Sequence, residues 1–119
     1  MPFKKMLRRL TTPISELDLE RLKEFCSGRA ECAPIGEAQA RQEVSLVGEI
    51  TSVRIVPRAG APSLEANITD GTGTLVAVWT GRRRIAGVGP GKRLMISGRG
   101  APIGPGGRLL FYNPRYELL

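Results

Sequence analysis

The sequence predicts an all-β domain of five short strands closed into a barrel, preceded by a short helical extension. In residues 43–119, runs rich in β-branched residues alternate with turns that contain Gly and Pro, which is the pattern of consecutive strands. Asp70–Gly73 is a turn signal between the β-like runs Leu64–Thr69 and Thr74–Thr80, and it predicts a hairpin. Residues 1–42 carry helical spacing instead, so we expect the barrel domain to begin after them.

The arm and linker of residues 1–42 begin with two predicted helices. Four apolar residues of the first share the i, i+3, i+4, i+7 spacing of one helix face: Phe3, Met6, Leu7 and Leu10. Thr12 can cap the second helix, and Ser27-Gly28 is a stop signal at its end. The apolar stripe of this second helix consists of Leu19, Leu22, Phe25 and Cys26. From Gly28 to Gln42 no period is evident, so we expect a linker that crosses to the barrel.

The strands of the barrel follow in order. The first, Val44–Ile55, is longer than an ordinary straight strand, and Gly48 predicts a bulge that bends it. Three of its apolar residues are expected to face inward: Val44, Leu46 and Ile50. The remaining segments are a loop at Pro57–Ser63, the hairpin described above, a basic connection at Gly81–Gly91, a strand at Arg93–Gly98, a loop at Gly100–Gly107 and a closing strand that begins with Leu109–Tyr112.

Charge is the main clue to the partner. The chain has 119 residues, with 18 Lys and Arg against 11 Asp and Glu, a net charge of +7 and a pI near 10.3. Most of the basic residues are arginine, whose planar fork suits phosphates and base faces. We therefore expect a polyanionic partner, which is nucleic acid in the first instance.

No cofactor or metal is expected. Cys26 and Cys32 are the only cysteines and there is no histidine, so Cys and His of this chain cannot supply a four-ligand zinc site. We expect both cysteines to be ordinary thiols.

No apolar run approaches the roughly 18 residues of a membrane span, and Met1–Leu10 lacks the apolar stretch of a signal peptide. A cytoplasmic protein is expected, and its charge is compatible with association with the nucleoid.

The sequence also argues against an enzyme. The five acidic residues of the barrel domain show no paired spacing typical of an acid/base site: Glu43, Glu49, Glu65, Asp70 and Glu117. Histidine, the commonest general base, is missing, and no Ser or Thr has an identifiable catalytic partner. Asp70 is expected to cap its own turn rather than bind a metal.

Four segments together resemble the oligonucleotide-binding (OB) domains of the tRNA-anticodon-binding type: Val44–Ile50, Asp70–Leu75, Pro90–Leu94 and Asn113–Glu117. In particular they are similar to the wedge domain of the RecG branch-migrating helicases, over about residues 44–119. The resemblance implies a five-stranded Greek-key barrel that binds nucleic acid and has no catalytic machinery. It also implies a context of branched DNA, repair or recombination. The chain lacks a phosphate-binding Gly-x-x-x-x-Gly-Lys-Ser/Thr motif, so no motor activity is implied.

Basic and aromatic residues of the barrel domain form the predicted nucleic-acid site, where ten Lys and Arg stand against five Asp and Glu. The candidate residues are Arg54, Arg58, Trp79, Arg82, Arg83, Arg84, Arg99, Arg108 and Tyr112. Three adjacent arginines suit consecutive phosphates. Trp79 either stacks on a base or fills the barrel, because both parities of its strand are apolar. Of the neighbours Phe111 and Tyr112, we expect Tyr112 to point outward.

The leading hypothesis is therefore binding of single-stranded or branched DNA, ahead of RNA, mostly through phosphates and with some stacking. A second hypothesis is a protein-interaction module that uses the OB groove and the amphipathic Phe3–Leu10 helix. That helix is too short to be stable alone, so it would fold against a partner. Attachment of the helix to a membrane ranks last, because its apolar face covers only about two turns. The sequence predicts neither the oligomeric state nor the pathway.

Overall fold

A computed structural model describes residues 20–26 and 32–119 of the chain. Seven strands of this part form one sheet: β1 (Glu43–Arg58), β2 (Ala61–Thr69), β3 (Thr74–Thr80), β4 (Arg93–Arg99), β5 (Ala101–Pro102), β6 (Leu109–Tyr112) and β7 (Arg115–Leu118). Residues 20–26 are helical, and Ile35–Glu37 form a single 3-10 turn. The mainly β fold is confirmed, but the strand count is seven rather than five. The predicted Phe3–Leu10 helix lies outside the described residues.

The sheet curls because one short stretch of the chain contributes strands near both edges of the sheet: β6 pairs with β3, and β7 pairs with β4. The strand order is β5-β6-β3-β2-β1-β4-β7, with β6 parallel to β3 and β7 antiparallel to β4. Only Asn113 and Pro114 separate β6 from β7. Asn113 turns the chain there with a positive φ of 47°, which Asn tolerates better than most residues, and its Oδ1 accepts the backbone N–H of Thr80 at 2.9 Å. The result is a curled, barrel-like sheet.

β1 belongs to both halves of this sheet, since its first part pairs with β4 and its second part with β2. The register with β2 shifts at Thr51, so the bulge lies there and the prediction of a bulge at Gly48 is wrong. Gly48 instead allows a close approach. A Cβ at this position would lie 2.6 Å from Ile68 Cγ2 and 2.8 Å from the carbonyl oxygen of Thr69. Only glycine fits against β2 here without a shift of the backbone.

The first hairpin is tighter than the sequence indicates. The sequence predicts a loop over Pro57–Ser63, but β1 continues through Arg58 and β2 begins at Ala61. Ala59 and Gly60 alone form the turn, with φ values of 51° and 78°. Two consecutive residues of positive φ are typical of the type I′ turns that join adjacent strands. As a result, Arg58 lies on a strand and has a fixed position on the sheet.

The second hairpin confirms the prediction from Asp70–Gly73. Asp70 Oδ1 accepts hydrogen bonds from the backbone N–H of Thr72 at 2.8 Å and from its hydroxyl at 2.6 Å, so Asp70 caps its own turn. Its second oxygen, Oδ2, accepts the backbone N–H of Ile35 at 2.9 Å. Ile35 belongs to the main buried cluster, so part of the predicted linker packs on the sheet.

The main core fills the inside of the curled sheet. Its largest fully buried side chains include Phe111, Leu46, Ile50, Ile68, Leu75, Leu94 and Ile96. Outside the sheet, helical residues Leu22 and Cys26 pack on Val47 of β1, and Phe25 and Met95 lie against them. The helical segment therefore covers the outer face of β1 where this strand pairs with β4. Among the described residues, no helix has the length and apolar character that crossing a membrane requires.

Gly48→Ala tests the close approach between β1 and β2. We expect the free energy of unfolding to fall by about 1–3 kcal/mol, because the added methyl overlaps Ile68 and the backbone of Thr69. Chemical denaturation measures the change. Gly89→Ala is the matched control, since its Cβ would meet nothing within 4 Å. Equal stabilities of the two variants would contradict the packing described here.

Candidate nucleic-acid interface

The outer face of β1, β2, β3 and β6 carries rows of side chains that cross all four strands. Strand register places Ser52, Asn67, Val76 and Leu110 in one row, and Arg54, Glu65, Val78 and Tyr112 in the next. Side chains alternate between the two faces along a strand. The side chains of both rows therefore point away from the main core. They lie on the other half of the sheet from the helical segment, which packs on β1 where it pairs with β4.

These rows form an apolar floor with a polar rim. Val76, Val78 and Leu110 are buried on the outer face, where Ile103 of the loop before β6 packs against them. Beside them, Tyr112 is 55% exposed, as predicted. A groove of about 460 Å³ crosses this face, and its lining includes Arg54, Arg58, Glu65, Asn67 and Arg108. The groove thus combines apolar, cationic and hydrogen-bonding surface.

Glu65 binds two arginines of the site at once. Its Oε1 accepts hydrogen bonds from Arg54 Nε at 3.0 Å and Nη2 at 2.8 Å, and its Oε2 accepts Arg58 Nη2 at 3.1 Å. Glu65 is only 6% exposed. The guanidinium carbon of Arg58 also lies 5.8 Å from the centre of the Tyr112 ring, within cation–π range. One network therefore joins these four side chains.

The ionisation of Glu65 follows from these contacts. Burial by itself would raise its pKa, but the hydrogen bonds from Arg54 and Arg58, together with their positive charges, lower the pKa below its ordinary value. The carboxylate is therefore charged at neutral pH and holds both guanidinium groups in place.

The structure brings four predicted site residues together and places the others elsewhere. Arg54, Arg58, Arg108 and Tyr112 meet at or beside the groove. Arg82, Arg83 and Arg84 are exposed on the loop after β3, which starts beside the first hairpin because Gly81 N–H donates to the Pro62 carbonyl at 2.8 Å. Arg99 instead pairs with Glu43, its Nε 3.7 Å from a carboxylate oxygen, in a second groove that Tyr112 also lines.

Trp79 is the one predicted site residue that lies in the core. It is 5% exposed, and its indole N–H donates to the carbonyl oxygen of Pro114 at 3.2 Å. Its ring meets Tyr116 edge-on, with the ring centres 5.6 Å apart. In this position the indole cannot stack on a base, so the core interpretation is the correct one. Sequence periodicity could not decide because Val76 and Val78, of the opposite parity, are buried as well.

Sequence reasoning missed three polar residues of the groove: Ser52, Glu65 and Asn67. Asn67 Nδ2 donates to Ser52 Oγ at 3.0 Å, which orients the amide. The available signal was the alternation of Glu65 and Asn67 with the apolar residues of β2, which places both on one face. Their role becomes visible only with the register that sets them opposite β1.

Within residues 20–26 and 32–119, no group of three or more His, Cys, Asp or Glu side chains is arranged to hold a metal ion. Comparison of the chain with protein-family models, with curated proteins and with solved structures finds no match.

Glu65 makes the stability depend on pH. Its pKa in the folded protein lies below the ordinary 4.5, so its contribution is present above that pH and is lost as the pH falls through the lowered value. We expect Glu65→Gln to have a lower free energy of unfolding than the wild type near neutral pH. The difference should shrink below pH 4.5, as measured by urea denaturation across the acidic range. A difference that does not change with pH would contradict the pairing.

Proposed function

We propose that this protein binds nucleic acid without catalysing a reaction, and that the ligand lies across the outer face of β1, β2, β3 and β6. The observation that carries the proposal is the groove there, where an apolar floor, an exposed Tyr112 and several arginines converge. The preferred ligand is single-stranded or branched DNA. The likeness to the RecG wedge domain supports a role in repair or recombination.

The pairing of the strands supports an OB fold. If β6 and β7 count as one strand bent at Asn113 and Pro114, the hydrogen-bonded neighbours run β1-β2-β3-β6/β7-β4-β1. This is a closed order of five strands, consistent with the Greek-key barrel of that fold. OB barrels present the face of their second and third strands, flanked by the loops between strands one and two and between strands four and five. The groove lies on the corresponding face, and Arg108 belongs to the corresponding loop.

Phosphate contacts fit the exposed arginines around the groove. Arg108 and the Arg82–Arg84 run are exposed, and none of these residues forms an ion pair within the described part of the chain. Their guanidinium groups are therefore available for bidentate contacts to phosphate oxygens. Such contacts release counterions and do not depend on base sequence. We infer affinity for many sequences with a strong dependence on salt.

Tyr112 supplies the stacking surface that Trp79 cannot. Its ring is exposed at the end of β6 and borders the buried Val78 in the same row. A base stacked on an aromatic side chain contributes about 1–3 kcal/mol and does so for any base. Stacking and phosphate contacts together suit a single strand whose bases are free.

Arg108→Ala tests the phosphate contacts. We expect weaker binding of labelled single-stranded oligonucleotides of every sequence, and a plot of log K against log salt that is flatter by about 0.7, the value for one neutralised phosphate. Replacing Arg82, Arg83 and Arg84 together should flatten it by up to about 0.7 for each phosphate that these arginines neutralise. Fluorescence anisotropy at several salt concentrations gives the slopes.

Lys92→Ala is the control for this experiment, because it removes one exposed charge at the entry to β4, outside the residues that line the groove. Its slope should equal that of the wild type. Equal slopes for Arg108→Ala and Lys92→Ala would count against the groove as the binding site. No salt-sensitive binding of any oligonucleotide by the wild type would exclude the proposed function.

A further inference from the structure

We propose that Glu65 neutralises part of the charge of Arg54 and Arg58, so that these arginines form a platform for an unpaired base rather than contacts to phosphate. The ligand of this face would then be a single strand with accessible bases rather than a duplex. The inference rests on the proposed function and assigns different roles to arginines that look equivalent in the sequence.

Glu65 offsets part of the positive charge of Arg54 and Arg58. Both carboxylate oxygens of Glu65 are engaged, one by Arg54 and the other by Arg58, at distances of 2.8 to 3.1 Å. The three side chains together carry one net positive charge. A phosphate placed on either arginine would approach the fixed Glu65 carboxylate and be repelled by it. The two arginines are therefore poor phosphate ligands and contribute little to counterion release.

The surface of this network consists largely of planar groups. Guanidinium groups are planar and stack on aromatic faces and on bases. The Arg58 guanidinium lies over the Tyr112 ring, and Nη1 is 3.5 Å from the Tyr112 hydroxyl. Arg54 has a side chain that is 69% exposed although its Nε and Nη2 are both bonded to Glu65. The row thus offers planar groups that are fixed in position, of which Arg54 and Tyr112 are exposed and Arg58 is partly exposed.

The dimensions and chemistry of the row favour unpaired bases. The row from Arg54 to Tyr112 crosses four adjacent strands, a width of roughly 14 Å at the usual strand spacing. Its two central residues, Glu65 and Val78, are buried, so the arginine side chains and the Tyr112 ring form most of its surface. A duplex presents phosphates to such a surface, since its bases are stacked and paired. Only an unpaired base can place its face on these planar groups.

A comparison of two oligonucleotides tests this inference. One is a thymidine oligonucleotide, and the other is an abasic strand of the same length, with the same phosphates and no bases. Wild type, Arg54→Ala, Arg58→Ala, Glu65→Gln and Arg108→Ala are titrated with both strands at several salt concentrations. Glu49→Gln is the matched control, because Glu49 also pairs with an arginine, Arg93 at 3.2 Å, but lies on the part of β1 that pairs with β4.

We expect Arg54→Ala and Arg58→Ala to keep the wild-type salt slope. Arg58→Ala should also lose about fivefold or more of the preference for the strand with bases, which is the size expected of one stacked base. Arg108→Ala should show the opposite pattern, a flatter slope with the preference kept. Glu65→Gln frees two guanidinium groups, so its slope should steepen by up to roughly 1.4 and its affinity for the abasic strand should rise. Glu49→Gln should leave the slope and the preference unchanged.

Slopes flattened by about 0.7 in both Arg54→Ala and Arg58→Ala would overturn the inference and leave the proposed function intact. A wild type that binds neither strand at low salt would overturn both. Thermal unfolding of each variant identifies loss of the fold. If Glu65→Gln does not fold, the salt slope of Arg54→Ala tests the inference, because the exposed Arg54 side chain can be removed with little loss of packing.

Discussion

The pairing of residues 109–118 with both β3 and β4 is the constraint on which the rest of the structure depends. A flat sheet could not supply partners on both sides of a segment interrupted only by Asn113 and Pro114. The curl that results encloses the main core and sets the long β1 between two halves of the sheet. The Thr51 bulge lies where β1 passes from one half to the other. The position of the core, the division of the sheet into an inner and an outer face, and the location of the groove all follow from this arrangement.

The curled sheet divides its outer surface into two regions with different roles. On the β4 side, Leu22 and Cys26 of the helical segment pack on Val47. On the β3 side, the outer rows remain accessible apart from the loop that carries Ile103. Glu65 is the key residue of this second region, because it fixes two arginines without a covering element. Rigid placement of side chains on strands favours recognition, since little conformational entropy is lost on binding.

The residues that build a turn could be predicted from the sequence. The face of the sheet on which a side chain lies, and the residue with which it pairs, could not. The bounds of β3 follow from Asp70–Gly73 because that turn is built from its own residues. Arg54 is different: the bulge at Thr51 reverses the alternation, and without it this side chain would point into the core. The ion pairs of Glu65 depend on that reversal as well. For Trp79, both parities of its strand are buried, so no periodicity could place it.

The most direct measurement is a map of backbone amide shifts by nuclear magnetic resonance during titration with a short single-stranded DNA. If the groove binds the strand, perturbed amides will cluster in the second half of β1, in β2, β3 and β6, and in the loops that carry Arg82–Arg84 and Arg108. The amides of β4, β7 and the helical segment will change little. Shifts concentrated on β4 and β7 instead, or no shifts at a concentration where anisotropy detects binding, would contradict the placement of the ligand on this face.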